Sequence, residues 1–351
     1  MGDELFVCKR RINDDGGHCV HFILPDDKRE TGFCTLQGEY RCMDNLLSTI
    51  PKLSHTSVQD WLKCRRLFLL KNIKGILRKP SQFGPALKMG ALWDVCQGKL
   101  FGAHGDAEII ETINRYEIET QEKEVVRAVI RAFRALGIVV DKENCEIQER
   151  FTFSSKFKNL YSWIKRDDFE FLITGVYDRK YPKRFVENKF SGAPDFYQDV
   201  FWLTSQIGTY FLANDAMEEC TMEIVRSPAL KKKEDESPED FGARVYKDIM
   251  DRPGWYFIGF NKKTRTYGRR FFRNEFKLDE LRLRYQNIGY EIMDANERDA
   301  FYRNETMCRH PWECDMFDLC KSGVMSEALY EFREKRFEKT TSELAELGDT
   351  F

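Results

Sequence analysis

The stretch ITGVYDRKYPKRFVENKFSG, from Ile173 to Gly192, decides the fold. Two apolar runs, Phe171–Val176 and Phe185–Val186, enclose a polar turn, Arg179–Arg184, that contains Pro182. Short apolar runs on either side of such a turn are typical of two strands joined by a tight connection. The sequence therefore predicts a strand, a turn and a second strand here.

Charged side chains gather at the ends of these two predicted strands. Asp178 follows the first apolar run, and Glu187-Asn188-Lys189 ends the second. Because residues two apart in a strand share a face, Glu187 and Lys189 point the same way, and pairing of the strands can bring Asp178 beside them. The two carboxylates would hold a hard divalent cation. The cation would polarise a phosphoryl oxygen and lower the pKa of a bound water, while Lys189 would orient that water or stabilise charge on the phosphate.

The same hairpin has a simpler interpretation. It could be a solvated hairpin whose cross-strand ion pairs contribute only about a few tenths of a kcal/mol. The spacing D-x8-E-x-K is not specific by itself. The rest of the chain has to decide between the two interpretations.

Composition limits the class of protein. A chain of 351 residues holds one large domain or two ordinary ones, and its net charge of −2 excludes a globally basic nucleic-acid binder. Any contact with a polyanion must therefore use a local basic surface. The chain contains no apolar run of membrane-spanning length, and MGDELFVCKRR lacks the apolar core of a signal peptide. We expect a soluble, intracellular, cytoplasmic protein without membrane contacts.

The chain contains eleven cysteines, which in a reducing compartment favour metal ligation over disulfides. Three isolated ones are most simply small buried side chains: Cys96, Cys145 and Cys220. Four others lie within a turn-rich N-terminal segment of short predicted strands: Cys8, Cys19, Cys34 and Cys42. With His18 and His21 nearby they could form a zinc site. Because their spacing contains no CxxC, the alternative is that they merely pack.

Predicted helices carry further candidate residues. Cys64 lies on a predicted helix over 54–75, either as a core cysteine or as a metal ligand. A helix starting near Met89 carries Asp94, which is either a third oxygen ligand or a surface acid. The segment Asp199–Ala213 also reads as a helix, and its Gln206 and Tyr210 share a face because they are four apart. That face either contacts a phosphate or base, or simply half-buries its tyrosine.

The remaining segments are mostly scaffold. Residues 106–136 predict a helix or a helix pair, 277–297 another helix, and 325–351 a charged terminal helix. Cys145–Phe153 alternates like a strand, on which Glu149 is an auxiliary site residue or, more simply, a surface acid. The charged block within 226–252 predicts a loop. Trp255–Arg273 predicts a strand, a turn and a second strand, in which basic residues are interleaved with aromatic ones. This segment either lines a groove for single-stranded nucleic acid or forms a hairpin at the sheet edge.

Three thiols follow near the end of the chain. Cys308, Cys314 and Cys320 are separated by gaps of five residues and lie among Trp312, Met316 and Phe317. Three thiol ligands leave one position open, and Cys64 is the natural fourth. Four thiolates suit zinc or a cubane iron–sulfur cluster.

In this order the motifs resemble the PD-(D/E)xK nuclease superfamily, specifically its RecB/Cas4-like iron–sulfur branch, often seen in phage-type exonucleases. The resemblance covers residues 54–325. It implies that Asp178 and Glu187 bind the metal and that Lys189 is the catalytic lysine. It further implies that Gln206 and Tyr210 support substrate contacts. The four thiols would hold a [4Fe–4S] cluster: Cys64, Cys308, Cys314 and Cys320.

The chain departs from this family in two places. The family usually has His four residues after the glycine that is Gly90 here, whereas this chain has Asp94, which can still ligate Mg²⁺ or Mn²⁺. The family's common late CxxC is replaced by the two gaps of five. The N-terminal Cys-rich segment lies outside the resemblance.

We therefore expect an α/β fold with a restriction-endonuclease-like core, in which a small mixed sheet holds the strands of Glu149, Asp178 and Glu187 and is flanked by helices. The expected parts are a Cys-rich module at 1–50, a nuclease domain at 51–325 and a terminal helix at 326–351. The resemblance implies Mg²⁺- or Mn²⁺-dependent hydrolysis of single-stranded or end-frayed DNA, most simply as an exonuclease, in a host cytoplasm if phage-encoded.

The resemblance also implies the ligands and partners of such an enzyme. Asp94, Asp178, Glu187 and the Asn188 carbonyl would hold the cation, and a structural iron–sulfur cluster would join the two ends of the domain. DNA is the expected partner, and the N-terminal module could dock a protein. One alternative is a non-catalytic DNA-end-binding or adaptor protein on the same scaffold; another is a metal-stapled interaction protein.

Overall fold

A computed structural model describes residues 52–102, 104–158, 168–200, 205–309 and 313–333, together with four short N-terminal strands. The strands in chain order are β1 (Cys8–Arg11), β2 (His18–Cys19), β3 (Phe22–Ile23), β4 (Phe33–Cys34), β5 (Lys52–Leu53), β6 (Ile76–Arg78), β7 (Glu146–Lys158), β8 (Asp168–Lys180), β9 (Arg184–Ser191), β10 (Glu219–Arg226), β11 (Arg269–Phe272) and β12 (Tyr330–Phe332). The α-helices are α1 (His55–Lys63), α2 (Arg65–Phe68), α3 (Pro85–Phe101), α4 (Asp106–Arg115), α5 (Thr120–Ala135), α6 (Pro194–Val200), α7 (Ser205–Ala213), α8 (Pro238–Asp251), α9 (Pro253–Tyr256), α10 (Leu278–Glu297) and α11 (Phe317–Ser322).

The central sheet has six strands. Its order is β11-β10-β9-β8-β5, and β7 pairs with the other edge of β8. The pairs β9–β10 and β5–β8 are parallel, whereas β7–β8, β8–β9 and β10–β11 are antiparallel. The expected mixed α/β architecture, a small mixed sheet flanked by helices, is therefore confirmed, and the strands that carry Glu149, Asp178 and Glu187 are neighbours.

The hairpin of β8 and β9 is paired only next to its turn. Arg179 lies opposite Val186, and Lys180 lies opposite Phe185. The Tyr181 amide donates to the carbonyl of Arg184 at 2.8 Å and closes the turn. Beyond these two pairs the strands separate, and the gap between them is where the charged residues lie.

Helices cover both faces of the sheet because the strands bury apolar side chains on each side. One cluster joins α3, α4, α5 and α8 to the sheet through residues such as Trp93, Phe133 and Val225. A second joins α7 to β8, β9 and β10 through Tyr177, Phe185 and Phe211 among others. A third packs α1 and α10 against β5 and β8. The hairpin thus lies between layers of helices.

The predicted helix over 54–75 is interrupted. Ser54 caps α1 and forms a capping box with Ser57. At Cys64 the backbone is extended (φ −166°, ψ 121°), after which the chain continues as α2 and a π-helical turn at Leu69–Ile73. Cys64 still donates its amide to the Asp60 carbonyl, but its extended backbone turns the chain there, and its side chain lies beside the late cysteines.

Two helix predictions need smaller corrections. The helix expected near Met89 begins at Pro85, because proline fits the first helical position, where its missing N–H costs nothing. The helix expected over Asp199–Ala213 is represented by α6 and α7, and residues 201–204 between them lie outside the described part. The predicted helix pair over 106–136 and the helix over 277–297 are confirmed.

Three predictions were wrong in part. The predicted loop 226–252 contains α8, which buries Phe241, Val245 and Ile249 at helical spacing despite the many charges around them. Of the predicted strands in Trp255–Arg273, only β11 forms, since Pro253–Tyr256 is a short helix. Tyr330–Phe332, expected in the terminal helix, is a strand that pairs with β6. The remainder of that predicted helix, 334–351, lies outside the described residues.

The N-terminal module is described only by its strands. Cys8 lies opposite Cys19 in the pair β1–β2, and Cys34 lies opposite Phe22 in the pair β3–β4. Cys42 and the predicted zinc site lie outside the described residues. Elsewhere, no helix in the described part of the chain is both long enough and apolar enough to span a lipid bilayer.

Candidate active site

Asp178 lies at the point where β8 and β9 separate. Its Oδ2 accepts a hydrogen bond from the backbone N–H of Asn188 at 2.7 Å. The carboxylate therefore takes the place that a backbone carbonyl of β8 would have in a longer hairpin. This contact fixes Asp178 beside the Glu187-Asn188-Lys189 segment, as the strand pattern predicted.

Glu187 is the centre of the site. It is only 2% exposed, and its Oε1 accepts hydrogen bonds from the Lys189 ammonium and, at 2.6 Å, from Nε2 of Gln206. The same Gln206 nitrogen lies 3.1 Å from the hydroxyl of Tyr210. The shared face of Gln206 and Tyr210 is thus confirmed, and it is directed at the carboxylate of β9.

The second carboxylate oxygen of Glu187 is available to a ligand. Oε2 is buried and has no hydrogen-bond partner among the described residues. A buried, unpartnered carboxylate oxygen is costly unless a cation or donor completes it. This oxygen therefore fits the first coordination shell of a divalent cation.

The carboxyls of the site repel one another and are shielded from water. Burial, and then the charge of Glu187, raise the pKa of Asp178 to about 8, although the Asn188 amide partly opposes the shift. Burial also raises the pKa of Asp94 to about 7; Lys189 lowers it and Glu187 raises it. Because the side chain of Asp94 is still open to solvent, screening weakens this effect, and desolvation of Asp178 is the stronger of the two. A bound cation would favour the charged form of both groups.

Lys189 stays charged in this setting. Burial works against its ammonium, but the attraction of Glu187, followed by that of Asp178, outweighs burial and raises the pKa of Lys189. The lysine can therefore act as a fixed positive charge or a hydrogen-bond donor. It is not suited to accept a proton from water at neutral pH.

The other predicted oxygen ligands lie at the edge of the site. Asp94 is on α3, which packs on β9; a Cβ added at Gly90 would be 3.8 Å from the carbonyl of Phe190. The Asn188 side chain is drawn away, because Arg179 donates to its Oδ1 at 2.9 Å. Only the backbone of Asn188 is therefore left to serve as a ligand. Glu149 pairs with Lys180 at 2.6 Å and is not brought to the site, so its simpler role as a surface acid is the better one.

The sequence pattern missed His55. Its Nδ1 lies 2.9 Å from the hydroxyl of Ser205, and burial, followed by the positive charges of Lys189 and Arg284, lowers its pKa to about 4. His55 is therefore neutral at physiological pH. It is the first residue of α1, far from the hairpin in sequence, and no local spacing links it to Lys189.

A second missed residue lies behind the strand of Glu187. Arg179 is only 2% exposed, and its Nη2 also donates to Glu223 on β10. Its guanidinium lies 3.6 Å from the ring centroid of Phe101. Because the Arg179 guanidinium links β8, β9 and β10, it stabilises the backbone of the strand that carries Glu187 and Lys189.

The four predicted sulfur ligands surround one small cavity. Cys64, Cys308, Cys314 and Cys320 line it together with apolar residues that include Leu67 and Phe317. The Asn304 amide donates to Sγ of Cys64 at 3.3 Å. Burial raises the pKa of the Cys320 thiol, and the positive charges of Arg303 and Arg66 oppose that shift. The thiols therefore share an apolar cavity with a cationic border.

The donor sets differ in which metal they fit. Across 52–333, outside the gaps given above, no group of three or more His, Cys, Asp or Glu side chains is arranged to hold a single metal ion. A structural zinc needs four ligands converging on one point. A cubane cluster keeps its four thiolates farther apart, so four thiols around one cavity suit a cluster better. Mg²⁺ needs only one or two carboxylates and completes its shell with water, which suits Asp178 and Glu187.

The arrangement can thus supply two carboxylates for a cation, a fixed ammonium beside them and a hydrogen-bonded Gln–Tyr pair that orients one carboxylate. These are the components of metal-assisted attack on a phosphoryl group. No protein-family model matches the chain, and no curated protein matches it either.

Proposed function

We propose that the chain is a metal-dependent deoxyribonuclease of the PD-(D/E)xK type, in the RecB/Cas4-like iron–sulfur branch. In this proposal it hydrolyses phosphodiester bonds of single-stranded or end-frayed DNA, acting as an exonuclease. The restriction of the reaction to DNA ends rests on the family resemblance alone.

One observation carries the proposal. Glu187 is buried with one oxygen bound to Lys189 and Gln206, while its other oxygen has no hydrogen-bond partner within the described ranges and Asp178 lies alongside. A structural ion pair would not leave a buried carboxylate oxygen without a partner or place a second, repelling carboxyl beside it. An arrangement completed by a cation accounts for both features.

Asp178 and Glu187 would hold Mg²⁺ or Mn²⁺, with the Asn188 carbonyl as a further ligand, and Asp94, at the edge of the site, would reach the cation through a bound water. A bound cation supplies polarisation of a phosphoryl oxygen and a water of lowered pKa. Asp94 stands where the family usually has His. Because a carboxylate is a harder ligand than imidazole, we expect Mg²⁺ to serve as well as Mn²⁺.

The side chains of the site position the metal ligand and the attacking water, and they neutralise charge on the phosphate. Lys189 places its positive charge where negative charge develops on the phosphate, or donates a hydrogen bond to the attacking water. Gln206 fixes the rotamer of Glu187 by donating to Oε1, and the Tyr210 hydroxyl lies next to the same amide. The hydroxyl of Tyr177 donates to the Tyr210 carbonyl at 2.9 Å, which ties α7 to β8.

The four thiols would hold a [4Fe–4S] cluster with a structural role. The cavity joins the segment of Cys64 to that of Cys308, Cys314 and Cys320, so a cluster would fix the two ends of the domain to each other. A cluster there would be surrounded mainly by apolar residues and would need no part in hydrolysis.

The decisive experiment compares wild type with Lys189→Ala on end-labelled single- and double-stranded DNA in Mg²⁺, Mn²⁺ or EDTA. The matched control is Lys183→Ala, which removes an exposed lysine from the turn of the same hairpin. We expect cleavage by wild type and by the control in either metal, no cleavage in EDTA, and a loss of at least about 100-fold in Lys189→Ala.

Two outcomes would contradict the proposal. Cleavage that persists in Lys189→Ala would show that this site is not responsible for it. If the folded protein carries its cluster, seen as a visible absorbance band after purification without oxygen, and binds DNA ends without cutting them, the non-catalytic end-binding protein is the better description.

A further inference from the structure

We propose that Trp255 and Arg226 form a binding site for the single strand that leaves the active site. A base would stack on Trp255, and the neighbouring phosphate would contact Arg226. Such a site would specify single-stranded nucleic acid as the substrate, which the catalytic residues alone do not. The inference rests on the proposed nuclease function. The pair is called the Trp255 platform below.

The platform is built by direct contacts. The Arg226 guanidinium lies 3.9 Å from the ring centroid of Trp255, and its Nε donates to the Trp255 carbonyl at 3.1 Å. A second cation, Arg252, lies 5.9 Å from the same centroid, but it donates to both carboxylate oxygens of Asp248, so Arg226 is the cation available to a phosphate. Even so, Trp255 is 49% exposed. A large aromatic ring is thus held in a fixed orientation by cations while part of it remains open to solvent.

An anion already lies at the edge of the platform. Nη2 of Arg226 is 3.5 Å from a carboxylate oxygen of Asp195, whose side chain is 72% exposed. The Arg226 side chain is only 13% exposed, but the contact is long and the carboxylate is solvated, so the pair contributes little stability and Asp195 can be exchanged for another anion. The position of the carboxylate marks where a phosphate could approach Arg226.

The platform lies close to the catalytic lysine. In the parallel pair β9–β10, Lys189 lies opposite Ile224 and Ser191 lies opposite Arg226. Lys189 and Arg226 are therefore offset by two residues along the strand and by one strand across the sheet, roughly 8 Å between Cα atoms. Helix α6 borders the platform, since Asp195 contacts Arg226. One or two nucleotides would bridge this distance.

The other basic and aromatic residues of this region are less suitable. Arg270 on β11 donates to both carboxylate oxygens of Glu219, and Arg273 pairs with Asp215 at 2.7 Å. Phe272, 46% exposed, lies opposite Glu219 at the start of β10, whereas Arg226 is at its end. Of the two alternatives for Trp255–Arg273, the edge strand therefore describes β11, and nucleic-acid binding belongs to Trp255.

A single strand fits this chemistry better than a duplex or a protein. Every base offers an aromatic face, so stacking on Trp255 needs no particular sequence, but the base must be unpaired to reach the ring. Arg226 supplies the positive charge for the adjoining phosphate. A flat apolar surface without cations would have favoured a protein partner instead.

The test measures binding separately from cleavage. Fluorescence anisotropy of a labelled oligothymidylate is followed in EDTA with the full-length chain as wild type, Trp255→Ala, Trp255→Phe and the matched control Phe272→Ala. We expect Trp255→Ala to weaken binding about tenfold and Trp255→Phe to restore most of it. We expect Phe272→Ala to bind like wild type, and Asp195→Asn to bind more tightly because it removes a competing anion.

A second measurement needs no variant. Irradiation of wild type bound to an iodouracil-containing oligonucleotide, followed by peptide mapping, should place the cross-link on the peptide that contains Trp255. Equal affinities for wild type, Trp255→Ala and Phe272→Ala, or a cross-link elsewhere, would overturn the inference. If Trp255 is needed for binding but wild type cuts no DNA in any metal, the nuclease proposal fails and the platform stands. If DNA is cut normally and Trp255→Ala binds normally, the platform fails alone.

Discussion

At the scale of single residues, Asp178 is the carboxyl of the site whose ionisation most opposes folding, ahead of Asp94. Burial and the nearby charge of Glu187 raise its pKa from 3.8 to about 8. Since the pKa of the folded state lies above that of the unfolded state, the stabilising contribution is complete below the unfolded pKa. It is lost as pH rises towards the folded pKa. A divalent cation should reverse this cost, because it favours the charged carboxylate.

This argument predicts a pH dependence that Asp178→Asn removes. In EDTA, the free energy of unfolding of wild type should fall between about pH 4 and about pH 8, by at most about 1.4 kcal/mol per pH unit, and the curve of the variant should be flatter. Denaturant titrations of both proteins at several pH values measure this dependence of the free energy of unfolding on pH. Asparagine is the suitable replacement because it keeps an oxygen that can accept from the Asn188 amide.

Metal provides the control for that prediction. Added Mn²⁺ should stabilise wild type most at the upper end of this range, and it should stabilise Asp178→Asn much less. Parallel curves for the two proteins would mean that Asp178 is ionised in the fold without cost, and the mutual repulsion inferred for the site would be wrong.

Some of these residues could be found from sequence and others could not. Strand alternation relates Glu187 to Lys189, and a helical spacing of four relates Gln206 to Tyr210, since both relations are local. His55 and Arg179 reach their partners through contacts between distant elements. For Arg179 even the local hint was misleading, because an arginine in a turn usually lies in solvent and this one is buried.

At the scale of elements, the pairing of β7 with β8 depends on a glycine. Gly175 lies opposite Phe151, and the Phe151 ring covers it. A Cβ at Gly175 would lie 2.3 Å from Cζ of that ring. The ring cannot easily move, because its centroid is 4.9 Å from that of Tyr177 and 5.5 Å from that of Tyr210. The aromatic layer that supports the Gln206–Tyr210 helix therefore needs a residue without a side chain at this position.

We accordingly expect Gly175→Ala to lower the free energy of unfolding by about 1–3 kcal/mol. The matched control is Gly192→Ala, where an added Cβ meets no described atom within 4 Å. The double variant Phe151→Leu with Gly175→Ala should recover part of the loss, because the smaller side chain makes room. Equal stability of Gly175→Ala and the control would show that the ring yields freely.

The elements show where sequence patterns work and where they fail. The strands of the hairpin were predicted from apolar runs on either side of a polar turn, and Cys145–Phe153 was predicted from its alternation. The break at Cys64 was not, because the apolar residues before and after it continue at helical spacing and nothing local signals an extended residue. Helix α8 was missed because charges outnumber the three buried residues that define its apolar face.

At the scale of the whole molecule, the two ends of the domain meet at the sulfur cavity. Strand β12 pairs with β6, and the amide of Arg333 donates to the Gly75 carbonyl at 2.7 Å. The Asn304 amide contacts Cys64 across 240 residues of sequence. A buried apolar cluster packs at the same junction and includes Leu67, Ile76, Met316 and Tyr330. Four thiols there would add to these contacts, since a bound cluster contributes its binding energy to folding and closes a long loop.

The cluster proposed for this junction should therefore matter for stability before it matters for chemistry. We expect Cys320→Ala to lose the visible absorbance and to lower the free energy of unfolding by about 2–5 kcal/mol, comparable to the loss of a native cross-link. The matched control is Cys145→Ala, which removes a half-buried thiol outside the cavity and should keep both colour and stability. Anaerobic purification, iron analysis and denaturant titration measure the effect.

The two variants also separate packing from ligation. Removing one sulfur from an apolar cavity without a cluster would cost little, because the surrounding side chains already tolerate a small void there. A loss confined to Cys320→Ala and accompanied by loss of iron would therefore identify ligation as its cause. An unchanged unfolding curve for Cys320→Ala would instead leave β6–β12 pairing as the element that closes the domain, and the four thiols would be packing residues.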